Sequence, residues 1–352
     1  MYYINSNIDK LHRVFDQNDR KGFLRLDLNE NPGGLPQRFV QEVLSGVTPQ
    51  FLSQYPETSH FIKVLAKHLG TKSDYLCLTN GSVEGIRYII ESFTEKNGEI
   101  VGVFPSFAMF QVFSEMYERN FVKVPYNKDL SLDINNIIAH LSHKTQLLIL
   151  LNPNNPMGNV YTDEEFEKLM TNAREKHITV LVDEAYHYFY PKTFIKYALN
   201  EEHVFITRTF SKLFSLAGCR LGYVVGRPEG IKVLHNMCTP HNVNCIALKF
   251  AEAVLESPSL LNSLINGFLE GRVFLINQLD RFGYVHKGEA GNFIFIKPKT
   301  DALKIVERMK KEKKILIKAY PNVGDLGTCL RVTIGEKRYM KQFLEALIEV
   351  DN

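Results

Sequence analysis

A lysine, an aspartate and an arginine near the middle of the chain carry the chemistry that the sequence suggests. Lys212 stands in T-R-T-F-S-K-L-F-S-L-A-G-C-R-L-G-Y, Thr207 to Tyr223, just after a short β-like run that starts at Val204. A lysine on a turn packed between apolar segments can lose its proton and attack a carbonyl, because burial favours the neutral amine. Thr209 and Ser211 precede it, and Arg220 follows in a glycine-bearing turn. Two hydroxyls and a guanidinium in one turn region can hold a dianionic phosphate. The combination suggests a Schiff base to an aldehyde that carries its own phosphate. A surface lysine near a helix start is the plainer alternative.

Upstream, V-L-V-D-E-A-Y at Val180 to Tyr186 is an apolar strand that ends in Asp183, with Tyr186 following on the next turn. A carboxylate at the carboxyl end of a buried parallel strand faces the ligand crevice of an α/β sheet. There it can pair with a pyridinium nitrogen and keep it protonated, so that the ring acts as an electron sink. Capping of the next helix is the other role open to such an aspartate. The nearby lysine favours the chemical one.

These stretches, with L-N-P-N-N-P-M-G at Leu151 to Gly158, resemble the fold-type I pyridoxal-phosphate enzymes. Among those, the chain is similar to class I/II aminotransferases of the histidinol-phosphate aminotransferase group. The resemblance runs from L-D-L-N-E-N-P near residue 30 to L-R-V-T-I-G near residue 333, with the motifs in the family's order. It implies an aspartate aminotransferase-like α/β fold. A large domain with a mostly parallel sheet flanked by helices would span 40–275, and a smaller α+β lobe would combine 1–39 with 276–352.

The resemblance also implies pyridoxal 5'-phosphate as cofactor, held by Lys212. Asp183 would face the ring nitrogen, Tyr186 and Asn155 the ring oxygen, and Phe107 the ring plane. Ser82, Val83, Thr209, Ser211, Arg220 and the partner's Tyr55 would grip the phosphate, which makes the active unit a homodimer with shared sites. Arg331 would take the substrate carboxylate. Asn29 and Asn31 would lie near the substrate. Plainer alternatives are an Asn-Pro turn for the asparagines, core packing for Phe107 and a domain-edge position for Tyr55.

Some positions depart from the family's pattern. Val83 stands where relatives often carry Asp or Thr, Phe107 where the group usually has Tyr, and Met157 where Thr is usual. Lys318 and Gln342 stand where histidinol-phosphate aminotransferases often carry phosphate-binding arginines. A lysine is a point charge and a glutamine is neutral, so two-pronged phosphate recognition is weakened. The expected reaction is transfer of an amino group between an amino acid or amino-alcohol phosphate and a 2-oxo acid, with Lys318 meeting a phosphate or acidic group. A decarboxylase resembling threonine-phosphate decarboxylase is the alternative, since the same Lys, Asp and Arg set serves it.

Repeated strand–turn–helix units must position these groups. In Leu76 to Phe93, Gly81 permits a tight turn and the first N–H groups of the helix, at Ser82 and Val83, form an anion site. Ile100 to Phe110 repeats the rhythm. Thr145 to Leu151 is apolar throughout, as a buried parallel strand should be. Thr162 to Glu165 opens a helix with capping residues. After a strand at Tyr223 to Val225 a long helical region runs to about residue 280, and holds Asn242 and Asn244 without an assigned role. Gly291 to Lys297, Ile315 to Ile317 and Cys329 to Ile334 read as strands, and Glu336 to Ile348 as a closing helix. Residues 1 to about 25 read as an arm or short helix.

The composition supports this organisation. A chain of 352 residues suggests two domains or lobes. An apolar content of 45%, with 11% aromatic residues, suffices for a large core. A net charge of +3 gives no case for nucleic acid or a membrane surface as partner. Five scattered cysteines without a C-x-x-C pair fit a reducing compartment and argue against a zinc site, so no metal is expected. No uncharged apolar run approaches the roughly 18 residues of a membrane span, and the N-terminus lacks a signal-peptide pattern. The chain reads as soluble and cytoplasmic.

Overall fold

A computed structural model describes residues 2–11 and 19–352. Among these residues the centre is a seven-stranded sheet. Its order in space is Leu76–Thr79, Gly222–Val225, Val204–Thr209, Thr179–Asp183, Thr145–Leu151, Glu99–Phe104 and Asn120–Pro125. From Val204–Thr209 to the Asn120–Pro125 edge every pairing is parallel. Gly222–Val225 runs antiparallel to both its neighbours. The sheet is thus mostly parallel, as expected.

The strands bury both faces. Val180, Val182, Val204 and Ile206 enter one apolar cluster, while Leu181 and Phe205 enter another. This is the period of two that the pleat imposes. Burial on both sides explains why these strands read as apolar runs and not as alternating ones. The helix Asp163–Glu175 begins with the expected capping box between Thr162 and Glu165.

A second core, with Leu26, Leu275, Ile294 and Phe343 among its members, lies against a four-stranded antiparallel sheet. The order there is Lys318–Tyr320, Cys329–Thr333, Phe293–Ile296 and His286–Lys287. The run expected as one strand at Ile315 to Ile317 changes partner. Ile315–Leu316 pairs in parallel with Leu24–Arg25, and Lys318–Tyr320 pairs with Cys329–Thr333. The N-terminal segment is thereby built into the C-terminal unit. Ahead of it lies the short helix Ser6–Asp9; the rest of the expected arm, at 12–18, falls outside the described residues.

The long helical region expected after Val225 is three helices, Pro228–Met237, Cys245–Leu255 and Pro258–Arg281. Asn244 caps the second, its side-chain oxygen accepting from the N–H of Ala247 at 2.8 Å. Pro258 opens the third, a position where its missing N–H costs nothing. That third helix packs Leu260 and Leu261 against the first core and buries Phe268, Leu275 and Leu279 in the second. No helix among the described residues is long and apolar enough to cross a membrane.

Candidate active site

The carboxyl ends of the parallel strands open onto one chamber of about 530 Å³. The strands Glu99–Phe104, Thr145–Leu151, Thr179–Asp183 and Val204–Thr209 deliver their chamber residues near their last residue or in the turn beyond, as open α/β sheets do.

Asp183 ends Thr179–Asp183 and is buried. Its Oδ1 accepts from the Thr207 hydroxyl at 3.0 Å and from the N–H of Ala185 at 3.1 Å. Burial pushes its carboxyl up to about 7, against the pull of these two hydrogen bonds. Lys212 lies in the turn after Val204–Thr209 and donates from Nζ to the carbonyl of Leu28 at 3.0 Å. Burial, then the charges of Arg331 and Arg220, push its amine down to about 8, while Glu30 and Asp183 pull the other way. The chamber thus holds an acid and an amine whose titrations have moved towards each other, a usual mark of a reactive site.

The Tyr186 hydroxyl accepts from the side-chain amides of Asn29 at 3.0 Å and Asn155 at 3.1 Å, and burial pushes it up to about 12. Arg331 donates from Nη1 to Asn155 Oδ1 at 2.9 Å and from Nη2 to the carbonyl of Asp27 at 2.6 Å. Its guanidinium lies between the rings of Tyr320 and Phe293, 5.1 and 5.9 Å from their centroids.

At the other end of the chamber the helix Ser82–Phe93 starts after Gly81, whose φ of +77° favours glycine. No side chain caps this helix. A Cβ on Gly81 would lie 2.6 Å from Arg220 Nη2, so the guanidinium sits directly over the turn. Arg220 Nη1 donates to Ser211 Oγ at 3.1 Å, and the Thr209 hydroxyl donates to the same oxygen at 3.0 Å. Uncapped N–H groups, a guanidinium and two hydroxyls together make an anion cup.

The chamber brings together Asn29, Ser82, Val83, Phe107, Asn155, Asp183, Tyr186, Thr209, Ser211, Lys212, Arg220, Lys318 and Arg331. Tyr55 is not among its walls. It is 78% exposed and stacks on His241 at 4.5 Å. Asn31 also turns away from the expected place, donating to Ser215 Oγ at 2.7 Å. Gln342 lines a neighbouring cavity with Asn31, whereas Lys318 lines the chamber. Sequence reasoning missed Tyr320, Leu28 and Ser106 as walls. Ser106 follows a strand end and could have been found by that rule; Tyr320 carries no local signal.

A model of the aminotransferase class I and II family matches residues 21–347. The chain belongs to the class I and II aminotransferases. This aminotransferase is 31% identical to histidinol-phosphate aminotransferase 2 of Burkholderia pseudomallei, over 94% of its own length and 93% of the relative's. The histidinol-phosphate aminotransferase of Sinorhizobium meliloti, solved in complex with pyridoxal-5'-phosphate, superposes with a TM-score of 0.88 at 22% identity, covering 99% of this chain and 98% of that one. The L-threonine-O-3-phosphate decarboxylase of Porphyromonas gingivalis shares the fold with a TM-score of 0.76 at 21% identity, over 93% and 98% of the two chains.

As a member of this family the aminotransferase depends on pyridoxal 5'-phosphate, and the chamber fits that group on its own terms. The anion cup suits the phosphate, the lowered amine of Lys212 suits an aldehyde, and the buried carboxyl of Asp183 gains a partner if it meets a cation.

Proposed function

We propose that the chamber transfers an amino group from an anionic donor, an amino acid or amino-alcohol phosphate, to a 2-oxo acid, with Lys212 as the base that moves the proton. The observation that carries this reading is the placement of Lys212 and Asp183 in one chamber with their titrations shifted towards neutrality. Bound pyridoxal phosphate supplies an aldehyde for the donor amine and a ring that accepts the electron pair released at the substrate carbon. Lys212 would hold the aldehyde end, and its Nζ, when free, would be the base that moves a proton between the substrate carbon and the cofactor.

Asp183 would face the ring nitrogen and keep it protonated, and Tyr186 and Asn155 would bond the ring oxygen. Phe107 would lie against the ring. Ser82, Val83, Thr209, Ser211 and Arg220 would hold the phosphate. Arg331 binds the carboxylate. Its support is its place in the chamber wall, together with a buried Nε that has no hydrogen-bond partner among the described residues. Lys318 is the register partner of Arg331, so the two side chains share one face of the sheet and can meet two anionic groups of one substrate. The relatives' named substrate, histidinol phosphate, is an amino-alcohol phosphate and belongs to this class.

The same reading makes the enzyme a cytoplasmic homodimer, in which the exposed Tyr55 completes the phosphate cup of its partner. It also divides the chain at about 40 and 275 into a large domain and a lobe built from both termini. Product analysis with a panel of amino acids and amino-alcohol phosphates tests the reaction. A keto or aldehyde product that disappears in Lys212→Ala is the expected result. Carbon dioxide without such a product would replace transamination by decarboxylation. Light scattering tests the dimer, and a fully active monomer would remove the role given to Tyr55.

A further inference from the structure

Arg208 and Glu184 meet on the face of the sheet turned away from the chamber. Arg208 donates from Nε and Nη2 to Glu184 Oε2 at 3.0 and 2.8 Å. Glu184 Oε1 accepts from the N–H of Phe194 at 2.7 Å and from the Thr193 hydroxyl at 3.0 Å. The two side chains are 5% and 0% exposed. Strand parity puts them there. Asp183 and Thr207 share the pleat face of Leu181 and Phe205, whereas Glu184 and Arg208 share that of Val182 and Ile206.

Asp183 is also the register partner of Thr207, and the N–H of Glu184 donates to the carbonyl of Thr207 at 2.8 Å. The ion pair and the carboxyl–hydroxyl pair are therefore two sides of the same rung at the strand ends. A buried ion pair is seldom a better stabiliser than apolar side chains of similar volume. Its presence beside the site calls for another reason, and charge supplies one. The Glu184 carboxylate next to Asp183 opposes ionisation of Asp183, and the guanidinium that Glu184 binds carries the opposite sign and acts against that effect. The groups around Asp183 are Glu184, Lys212 and Tyr186; those around Arg208 include Tyr188, Tyr223, His187 and His68.

We propose that the Arg208–Glu184 pair is a positioning unit for Asp183: from the far face of the sheet it fixes the strand-end rung and cancels the Glu184 charge, so that Asp183 offers a carboxylate to a cationic ring nitrogen. The inference rests on the role given to Asp183 above.

The test is a carbon-13 NMR titration of the Asp183 carboxyl in the full chain without cofactor, assigned by its loss in Asp183→Asn. Glu184→Gln should lower the Asp183 midpoint and Arg208→Met should raise it, each by about one pH unit, since these are close charges in a poorly solvated site. The double variant Glu184→Gln/Arg208→Met should return it to the wild-type value. A purely structural pair would lower the melting temperature in both single variants without shifts of opposite sign, and that result overturns the proposal. If Arg208→Met does not fold, Glu184→Gln and the double variant decide: a lowered midpoint restored in the double supports the proposal, and an unmoved one ends it. Equilibrium binding of pyridoxal phosphate to Asp183→Asn separates the two layers of the argument. Wild-type affinity there would remove the ring-nitrogen role while leaving the opposite shifts intact.

Discussion

Arg331 donates from Nη1 to the side-chain oxygen of Asn155 at 2.9 Å, and the amide nitrogen of the same Asn155 donates to the Tyr186 hydroxyl at 3.1 Å. One asparagine thus orients a cation on a strand of the four-stranded sheet and a phenol in the turn beyond a strand of the seven-stranded one. Charge-assisted hydrogen bonds contribute about 1.5–3 kcal/mol, so Arg331→Lys should raise KM for carboxylate donors roughly ten- to hundredfold while changing kcat less. Steady-state kinetics check this, and an unchanged KM would remove the carboxylate from Arg331. Asn155→Ala should lower kcat/KM by a similar factor, because it loosens both partners.

Lys212 loses its proton at about 8 in the folded protein but at 10.5 in an ordinary exposed setting. Between these values the unfolded chain binds more protons than the folded one, so stability rises with pH across that window. Lys212→Met should abolish the rise and raise the melting temperature at pH about 7. Thermal denaturation of the cofactor-free protein at pH about 7 and about 10 is the measurement. Equal slopes in wild type and variant would mean that the amine is not depressed.

The sign reverses for Asp183. Its folded value of about 7 lies above the ordinary 3.8, so the folded protein keeps the proton longer and stability falls as pH rises through that interval. Asp183→Asn should therefore be more stable than wild type above pH about 7 without cofactor, and no more stable near pH about 4. Turnover should fall by about 10²–10³-fold, as expected when a preorganised charge is removed from a reacting centre. A variant that is destabilised at all pH values would contradict the burial argument.

Gly222 has no room for a side chain. A Cβ there would lie 2.5 Å from the amide nitrogen of Ser82 and 2.8 Å from the carbonyl of Arg208, both backbone atoms. Gly222→Ala should push the start of the helix Ser82–Phe93 away from Arg220. Overpacking costs about 1–3 kcal/mol, so cofactor affinity should drop by about tenfold or more. Equilibrium dialysis measures it, with inorganic phosphate as competitor. Unchanged affinity would show that the helix start does not hold the phosphate.

The parts of the site that follow from local pattern were readable in the chain. Lys212, Asp183, Asn155 and Gly81 each follow an apolar run, and a strand end in a parallel sheet points to the crevice whatever the rest of the chain does. Other parts depend on partners far away. Asn242 reaches the carbonyl of Leu78 at 3.0 Å and Glu84 Oε2 at 3.2 Å, contacts that no neighbouring residue announces. The direction of Gly222–Val225 was equally hidden, since a short apolar run looks the same in either orientation. The edge strand Asn120–Pro125 has only one fully buried position and gives little signal. Glu184 and Arg208 stood beside the motif residues, and only the opposite faces of the pleat separate their work from that of Asp183.

The helix Pro258–Arg281 begins on one core and ends in the other. Its 24 residues make a rod, and at 1.5 Å per residue such a rod is about 36 Å long. Tilting it by about 5° at its first turn would sweep its far end through roughly 3 Å, as far as the 2.9 Å that separates Arg331 from Asn155. The helix is therefore a strut common to both cores: a small rotation at its first turn is magnified, by its length alone, into a larger displacement of the end that packs in the second core.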